Sequence, residues 1–332
     1  MRVLIVTFNY PQITESYIEA EVVYLRNLGV AVFVWSQTVA PAPGPLRADV
    51  GVAVGVPLDP IVAEFRPDVI HLHWMLWEAN VLDFLGRFGK PLTVRVHTDT
   101  SAERLQLYAV HPAVRRIYGY PGDGLRFQFG HPKFVEMAIA VIRPGALPVE
   151  KNCRLVLRAA SENSRDQTLM VKLARRCPQL EFVLCIGGSS HQNARETRPL
   201  LAAALGDQPP PNLRILWNEP PQQMARWFAQ AGIYLHTFLP HKIAAMPVSI
   251  AEALVSGCYT LVRDQPRLRL MIGTAGSVYA DADEAAVLLD ETLHWSVAAW
   301  QRKSEQSRAA GEAFCADRAL PPMLDDWQQL IG

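Results

Sequence analysis

The stretch MRVLIVTFNYPQITESYIEAEVVYLRNLGVAVFVW, Met1–Trp35, decides the fold. Arg2-Val3-Leu4-Ile5-Val6-Thr7 is an apolar, largely β-branched run without alternation. Such a run belongs to a strand covered on both faces, as in a parallel sheet. Pro11 to Thr14 interrupts it. From Glu15 to Leu28, Tyr17, Ile18, Val22 and Leu25 recur at helical spacing, with Thr14 as the expected N-cap. Gly29 closes that helix, and Val30–Trp35 is again a strand. Strand, helix and strand in succession make a βαβ unit.

The alternation continues outward from this unit. Val69–His73 reads as a strand, Glu78–Phe88 as a helix and Leu92–Val96 as a strand. Residues 101–142 carry no clear period, with a Gly/Pro-rich break at Tyr118–Gly124. Arg143-Pro144-Gly145-Ala146-Leu147-Pro148 reads as a linker, because the pattern restarts after it. Arg154–Leu157, Glu181–Ile186, Asn212–Leu216, Ile233–Thr237 and Tyr259–Val262 are expected strands. Gln167–Cys177, Pro221–Gln230 and Val248–Val255 are expected helices. Regular β–α alternation implies parallel sheets covered by helices. The expected division is a domain over 1–145 and a second over 150–332, whose last helix could return to the first.

Composition bounds the function. The chain has 332 residues, 50% hydrophobic and 19% charged, enough for two substantial cores. Lys+Arg and Asp+Glu both number 32, which argues against broad electrostatic capture of nucleic acid or anionic lipid. The five cysteines are scattered without metal or redox spacing, so reduced thiols in a cytoplasmic protein are expected. The N-terminus reads as a strand rather than a signal peptide, and no stretch nears the roughly 20 apolar residues of a membrane span. No Gly-x-Gly-x-x-Gly follows the first strand, which argues against a dehydrogenase.

In open parallel sheets, ligands bind beyond the carboxyl ends of the strands. That rule selects Asn9–Ser16, His97–Asp99, Arg158–Arg165, Gly187-Gly188 and Pro240–Glu252. The last segment feeds a helix whose first backbone N–H groups suit an anion. Glu252 lies about one turn inside that helix.

Met246-Pro-Val-Ser-Ile-Ala-Glu-Ala-Leu-Val-Ser-Gly257 resembles the donor-binding segment of glycosyltransferase family 4. Further similarities run in the same order along the chain. They are Pro11–Ile18 with Glu21, Asp68–Trp74, Val94–Asp99, Arg158 with Arg165-Asp166, and Asn212–Phe238. The resemblance implies an α/β fold of two Rossmann-like domains, with parallel sheets facing across a cleft (GT-B). It implies a retaining transferase that moves a sugar from a nucleotide to a hydroxyl acceptor. The family usually carries two glutamates eight positions apart here. Glu252 is the second, and Ala244 stands at the first.

Carried over residue by residue, the resemblance assigns Arg158 and Arg165 to the diphosphate of the leaving nucleotide and His97 to the donor sugar. Arginine forks suit phosphate oxygens, and charge grows there as the bond breaks. Thr14 and Glu15 would open a helix at the donor, and Met246, Pro247, Val248 and Ser249 would line it. Glu252 would accept hydrogen bonds from the ribose. No cofactor is expected beyond the nucleotide-sugar co-substrate, with UDP or GDP as the nucleotide. The expected acceptor is a glycan or lipid-linked sugar, with a possible contact at the inner face of a membrane. The alternatives are a catalytically silent nucleotide-sugar-binding subunit, or transfer to nucleic acid or protein. No metal is expected. His71 and His73 share a strand face but lack an evident third ligand, and Asp281-Ala282-Asp283 reads as a solvated helix start. Trp74, Trp77, Tyr118 and Phe127 could line an acceptor site, face a membrane or fill the core.

Overall fold

The computed structural model describes residues 1–40, 43–46, 49–97, 101–126, 128–145, 150–161, 166–188, 191–238 and 245–332. They form two compact units. The first comprises Met1–Pro11, Glu15–Ile142 and Ala316–Gly332, and the second Gln12–Thr14 and Arg143–Cys315.

The first unit follows the alternation set by its opening residues. It runs β1 (Arg2–Asn9), α1 (Ser16–Asn27), β2 (Ala31–Thr38), β3 (Gly51–Val54), α2 (Leu58–Phe65), β4 (Val69–His73), α3 (Ala79–Gly86), β5 (Leu92–Arg95), α4 (Ala102–Val110), β6 (Val114–Gly119), α5 (Asp123–Arg126) and β7 (Phe134–Glu136). The sheet is parallel, with strand order β3-β2-β1-β4-β5-β6-β7. β1 is central, and Val3, Leu4, Ile5 and Val6 are buried, as an unalternating apolar run requires. The direction of strand addition reverses between β1 and β4.

The second unit repeats the plan. It runs β8 (Asn152–Ser161), α6 (Gln167–Arg176), β9 (Glu181–Gly187), α7 (His191–Leu205), β10 (Leu213–Trp217), α8 (Pro221–Gln230), β11 (Ala231–His236), α9 (Val248–Val255), β12 (Tyr259–Arg263), α10 (Pro266–Ile272), β13 (Gly276–Tyr279), α11 (Ala282–Leu293) and α12 (Val297–Gly311). Its parallel order is β10-β9-β8-β11-β12-β13, with the reversal between β8 and β11. The chain then supplies α13 (Ala316–Ala319) and α14 (Pro321–Ile331) to the first unit. There Trp327 is fully buried with its ring 5.0 Å from that of His71, and Asp326 accepts from Arg116 Nε at 3.1 Å.

Several local expectations change. α1 begins at Ser16 with Glu15 as N-cap, and no side chain caps it, so Thr14 is not the cap. Thr14 Oγ1 instead accepts from Gln12 Nε2 at 3.1 Å. β8 extends past Leu157 to Ser161, which puts Arg158 inside the strand rather than in a following loop. The strand continues because Leu157, Arg158, Ala159 and Ala160 pair in register with β9. The unread 101–142 segment contains α4, β6, α5 and β7. α7 was also not expected; Pro199 lies inside it and blurs its period. Phe127 lies outside the described residues.

Glycine permits one close packing in the second unit. A Cβ on Gly311, at the end of α12, would stand 2.5 Å from Val255 N and 2.8 Å from Leu254 C, both backbone atoms of α9. Backbone cannot swing aside as a side chain can. Gly311→Ala is therefore expected to destabilise the second unit by about 1–3 kcal/mol. Gly130→Ala, where nothing lies within 4 Å of the new Cβ, is expected to stay within about 0.5 kcal/mol of wild type. Denaturant unfolding of both variants measures the contrast.

Candidate functional site

The expected site residues fall in two groups, each at the carboxyl edge of its own sheet. In the second unit, Arg158 is fully buried. Its Nε donates to Thr237 Oγ1 at 3.0 Å, one terminal nitrogen donates to Thr237 O at 3.2 Å, and the other reaches Tyr234 OH at 2.6 Å and Ala159 O. These bonds engage four of the five guanidinium N–H groups. Tyr234 OH in turn meets Ser249 Oγ at 2.7 Å, in the first turn of α9. Arg158 thus joins the end of β8 to β11 and, through Tyr234, to the helix start that resembles a donor site. A direct bidentate grip on phosphate would require some of these bonds to open.

α9 spans Val248–Val255, as the sequence predicts, with Pro247 as N-cap and no side-chain cap among the described residues. Met246 and Pro247 are buried, while Val248, Ser249 and Glu252 are half-buried. Asp166 caps α6 by accepting from Leu169 N at 3.2 Å. Arg165, immediately before it, lies outside the described residues, as do Lys242 and Ala244.

In the first unit, His97 follows β5 and is buried. Its Nε2 is 2.8 Å from His73 Nδ1 and its Nδ1 is 3.2 Å from Tyr120 OH. Tyr17 stacks on its ring with centroids 4.2 Å apart. Both ring nitrogens are therefore engaged, which leaves the backbone and the ring edge for a ligand. His73 Nε2 lies 3.2 Å, and His71 Nε2 3.5 Å, from one oxygen of Glu21. The other Glu21 oxygen is 3.8 Å from Arg95 Nε. His71 Nδ1 meets Thr93 Oγ1 at 2.8 Å. Glu15 is half-buried at the start of α1.

The sequence reading found no third partner for His71 and His73; the fold supplies one in Glu21. The donor atoms of Glu21, His71 and His73 lie within 4.8 Å of one another, the set among the described residues able to surround a metal ion. Arg95 already offers Glu21 a positive charge, so a dication there would leave excess charge in a dry site. Glu21 had a sequence signal: it lies four residues after Tyr17 and one before Val22, on the apolar face of α1. Arg95, between Val94 and Val96 in a covered strand, had one too. The Asp281–Asp283 expectation stands, since Asp281 Oδ1 accepts from Asp283 N and Glu284 N, each at 2.9 Å. Trp77 and Tyr118 are core residues, with Trp77 stacked on Phe8 at 4.1 Å. None of the five cysteines forms a disulfide.

Burial sets the protonation of this network. It pushes the His71 imidazole down to about 4 and the His97 imidazole well below its usual range, the latter helped by the neighbouring His73 ring and the Arg95 guanidinium. For Glu21, burial raises the carboxyl, but His73, His71 and Arg95 together more than reverse that and hold it low.

No protein-family model and no curated protein sequence matches the chain. Solved structures do. Anabaena HepE in complex with UDP and glucose is 12% identical, covers 99% of this chain and 100% of its own, and superposes with TM-score 0.74. A glycosyltransferase from Rickettsia africae is 12% identical over 99% of this chain and 98% of its own, with TM-score 0.72. AviGT4, a glycosyltransferase involved in avilamycin A biosynthesis, is 16% identical over 100% of this chain and 98% of its own, with TM-score 0.66.

The pH dependence of the first unit follows from His71. Its folded value lies below the unfolded one, so the unfolded chain binds the extra proton between pH 6.5 and about 4. Stability is full above pH 6.5 and falls as the pH drops through that window. At pH 5 the loss from His71 alone is expected to be about 2 kcal/mol. Hydrogen exchange of β1 and β4 amides at pH 7 and pH 5 measures it, and His71→Gln is expected to flatten the dependence. The fold these residues occupy, two α/β units each built on a parallel sheet, is the GT-B fold of the glycosyltransferase structures to which the chain is similar.

Proposed function

We propose that this chain transfers a glycosyl group from a nucleoside diphosphate sugar to a hydroxyl acceptor, with retention and without a metal ion. The acceptor class we favour is a glycan or lipid-linked sugar, met at the inner face of a membrane. No helix among the described residues is long and apolar enough to cross one.

The observation that carries this reading is the Arg158–Tyr234–Ser249 connection. It fixes the start of α9 at the reversal between β8 and β11, where open parallel sheets bind their ligands. Uncapped amides there favour the diphosphate, and Glu252 is one turn further along for the ribose. Arg158 adds a buried positive field, and Arg165 is assigned the direct contact. Transfer expels a nucleoside diphosphate, so charge grows on oxygens that these groups stabilise. His97, Thr14 and Glu15 are assigned to the donor sugar. The similar Anabaena structure holds UDP and glucose, which supports the choice of a nucleotide sugar.

Ala244 favours a second reading, a silent subunit that binds the nucleotide sugar without turning it over. A buried sugar hydroxyl left without a partner costs about 1–3 kcal/mol, so a lost carboxylate matters. Ser249 or Lys242 could replace it.

Calorimetry with UDP and GDP tests the binding half. Arg165→Ala is expected to weaken the bound nucleotide by about 1.5–3 kcal/mol, the scale of a charged hydrogen bond. Arg158→Ala is expected to weaken it similarly and also to lower the melting temperature, because Thr237 and Tyr234 lose the hydrogen bonds that the guanidinium donates. Unchanged affinity in both variants would remove the phosphate assignment. A donor panel with acceptor extracts tests turnover. Activity is expected to survive EDTA, and the product anomer to match the donor. Binding without turnover of any donor would favour the silent subunit.

A further inference from the structure

We propose that Glu21 and His73 are positioning residues that lock His97 as a neutral imidazole with its proton on Nε2. The significance for transfer rests on the reading of His97 as a donor-side residue. The lock itself does not.

The argument is a proton count along one chain of contacts. Glu21 is held against the buried cation Arg95, Nε to Oε1 3.8 Å, and as a carboxylate it can only accept. Its other oxygen faces His73 Nε2 at 3.2 Å and His71 Nε2 at 3.5 Å. A neutral ring that turned a lone pair toward that oxygen would be repelled. Both rings therefore carry a proton on Nε2, and as neutral rings both accept at Nδ1, whereas an imidazolium at His73 would donate from both nitrogens and force the Nδ1–H form on His97. His71 Nδ1 accepts from the Thr93 hydroxyl at 2.8 Å, which has a proton to give. His73 Nδ1 accepts at 2.8 Å from His97 Nε2, which must then be the protonated nitrogen of that ring. His97 is left with a lone pair on Nδ1, and the Tyr120 hydroxyl stands 3.2 Å from it to donate. Each ring is then neutral, and the Nε2 protons of His71 and His73 point their positive charge at the Glu21 carboxylate, 3.5 and 3.2 Å away.

The order of donors is set at one end only. Reversing any member forces a clash of two lone pairs or two protons elsewhere, unless every later member reverses as well. A 180° flip of His97 would face carbons to both partners, and Tyr17 stacked on its face fills the space beside it. The ring is thus fixed in rotation and in tautomer. Because Glu21 lies in α1, His73 ends β4 and His97 follows β5, the lock also ties together three parts of the first unit.

A metal ion between Glu21 and the two histidines is the competing occupant. It would require both Nδ1 atoms to donate and so the opposite tautomer throughout. Its two positive charges would add to Arg95, against one carboxylate, among groups that are 0–1% exposed. Protons satisfy the same atoms without that excess.

The test is NMR of ring-15N histidine in the full chain at pH 7, with the nine histidines resolved by single substitutions. The expected result is the Nε2–H form for His71, His73 and His97. Glu21→Gln then gives a directional outcome. Arg95 only donates, so the amide oxygen turns to Arg95 and the amide nitrogen faces the two rings. Both rings must then accept at Nε2, and the reversal passes through His73 to make His97 the Nδ1–H form. Glu21→Asp is expected to retain the wild-type pattern. Wild-type His97 found as the Nδ1–H form or as the imidazolium overturns the proposal, even where Glu21→Gln fails to fold. So does an unaltered His97 in folded Glu21→Gln. Elemental analysis that finds a stoichiometric metal lost with Glu21→Gln overturns it in favour of the ion. In turnover assays, Glu21→Gln is expected to lower kcat about 10–100-fold with donor KM within about twofold, and Glu21→Asp to recover part of it. Absence of turnover in every assay would count against the transferase reading and leave the tautomer result standing.

Discussion

A guanidinium keeps its proton at any pH a protein meets, so one sealed from water must be answered where it stands. Each unit of this chain seals one such group near the carboxyl end of a central strand. Arg95 ends β5, and Arg158 lies in β8. The two solutions differ. Arg158 is surrounded by neutral oxygens, from Thr237, Tyr234 and the Ala159 carbonyl, and its charge stays uncancelled by them. Arg95 has the Ala138 carbonyl at 2.5 Å and the Glu21 carboxylate. Among the described residues, Arg158 therefore keeps neutral partners, while Arg95 shares the carboxylate of Glu21.

That difference organises the remaining side chains. Around Arg158 the hydroxyls of Tyr234, Thr237 and Ser249 are oriented by a donor, which fixes the entry into α9. Around Arg95 the carboxylate of Glu21 is an acceptor, which gathers His71 and His73 and through them His97. Both networks sit at carboxyl edges because parallel strands bring their last side chains together there, next to helix starts with open amides. Buried polar groups of this kind are costly when half-satisfied, so the packing around them has to be specific.

Much of this was readable before the structure. The apolar runs of β1, β4 and β11 could only be covered strands, and Pro221 and Val248 mark helix starts that the chain obeys. The segment from Met246 to Gly257 carried the functional resemblance. What escaped the sequence was long-range. β8 outlasts its apolar residues because pairing with β9 continues through Arg158, and a charged residue in a strand reads locally as an exit. The partnership of Glu21 with His71, His73 and Arg95 joins three elements separated by some dozens of residues. Each residue was individually odd for its apolar face, and that oddness was the available clue. α7 was hidden by Pro199, and the 101–142 segment by elements of 4 and 3 residues, too short for a period to show.

The return of Ala316–Gly332 to the first unit has a consequence for how the protein is made. Ribosomes deliver the chain from its N-terminus, and units fold as they emerge. The second unit is complete once Cys315 has left the exit channel. The first unit, although begun earlier, still lacks Trp327 against His71 and Asp326 against Arg116. Its interior around the buried histidines therefore stays open until residues 316–332 have emerged. Of the two units, the one begun first closes second.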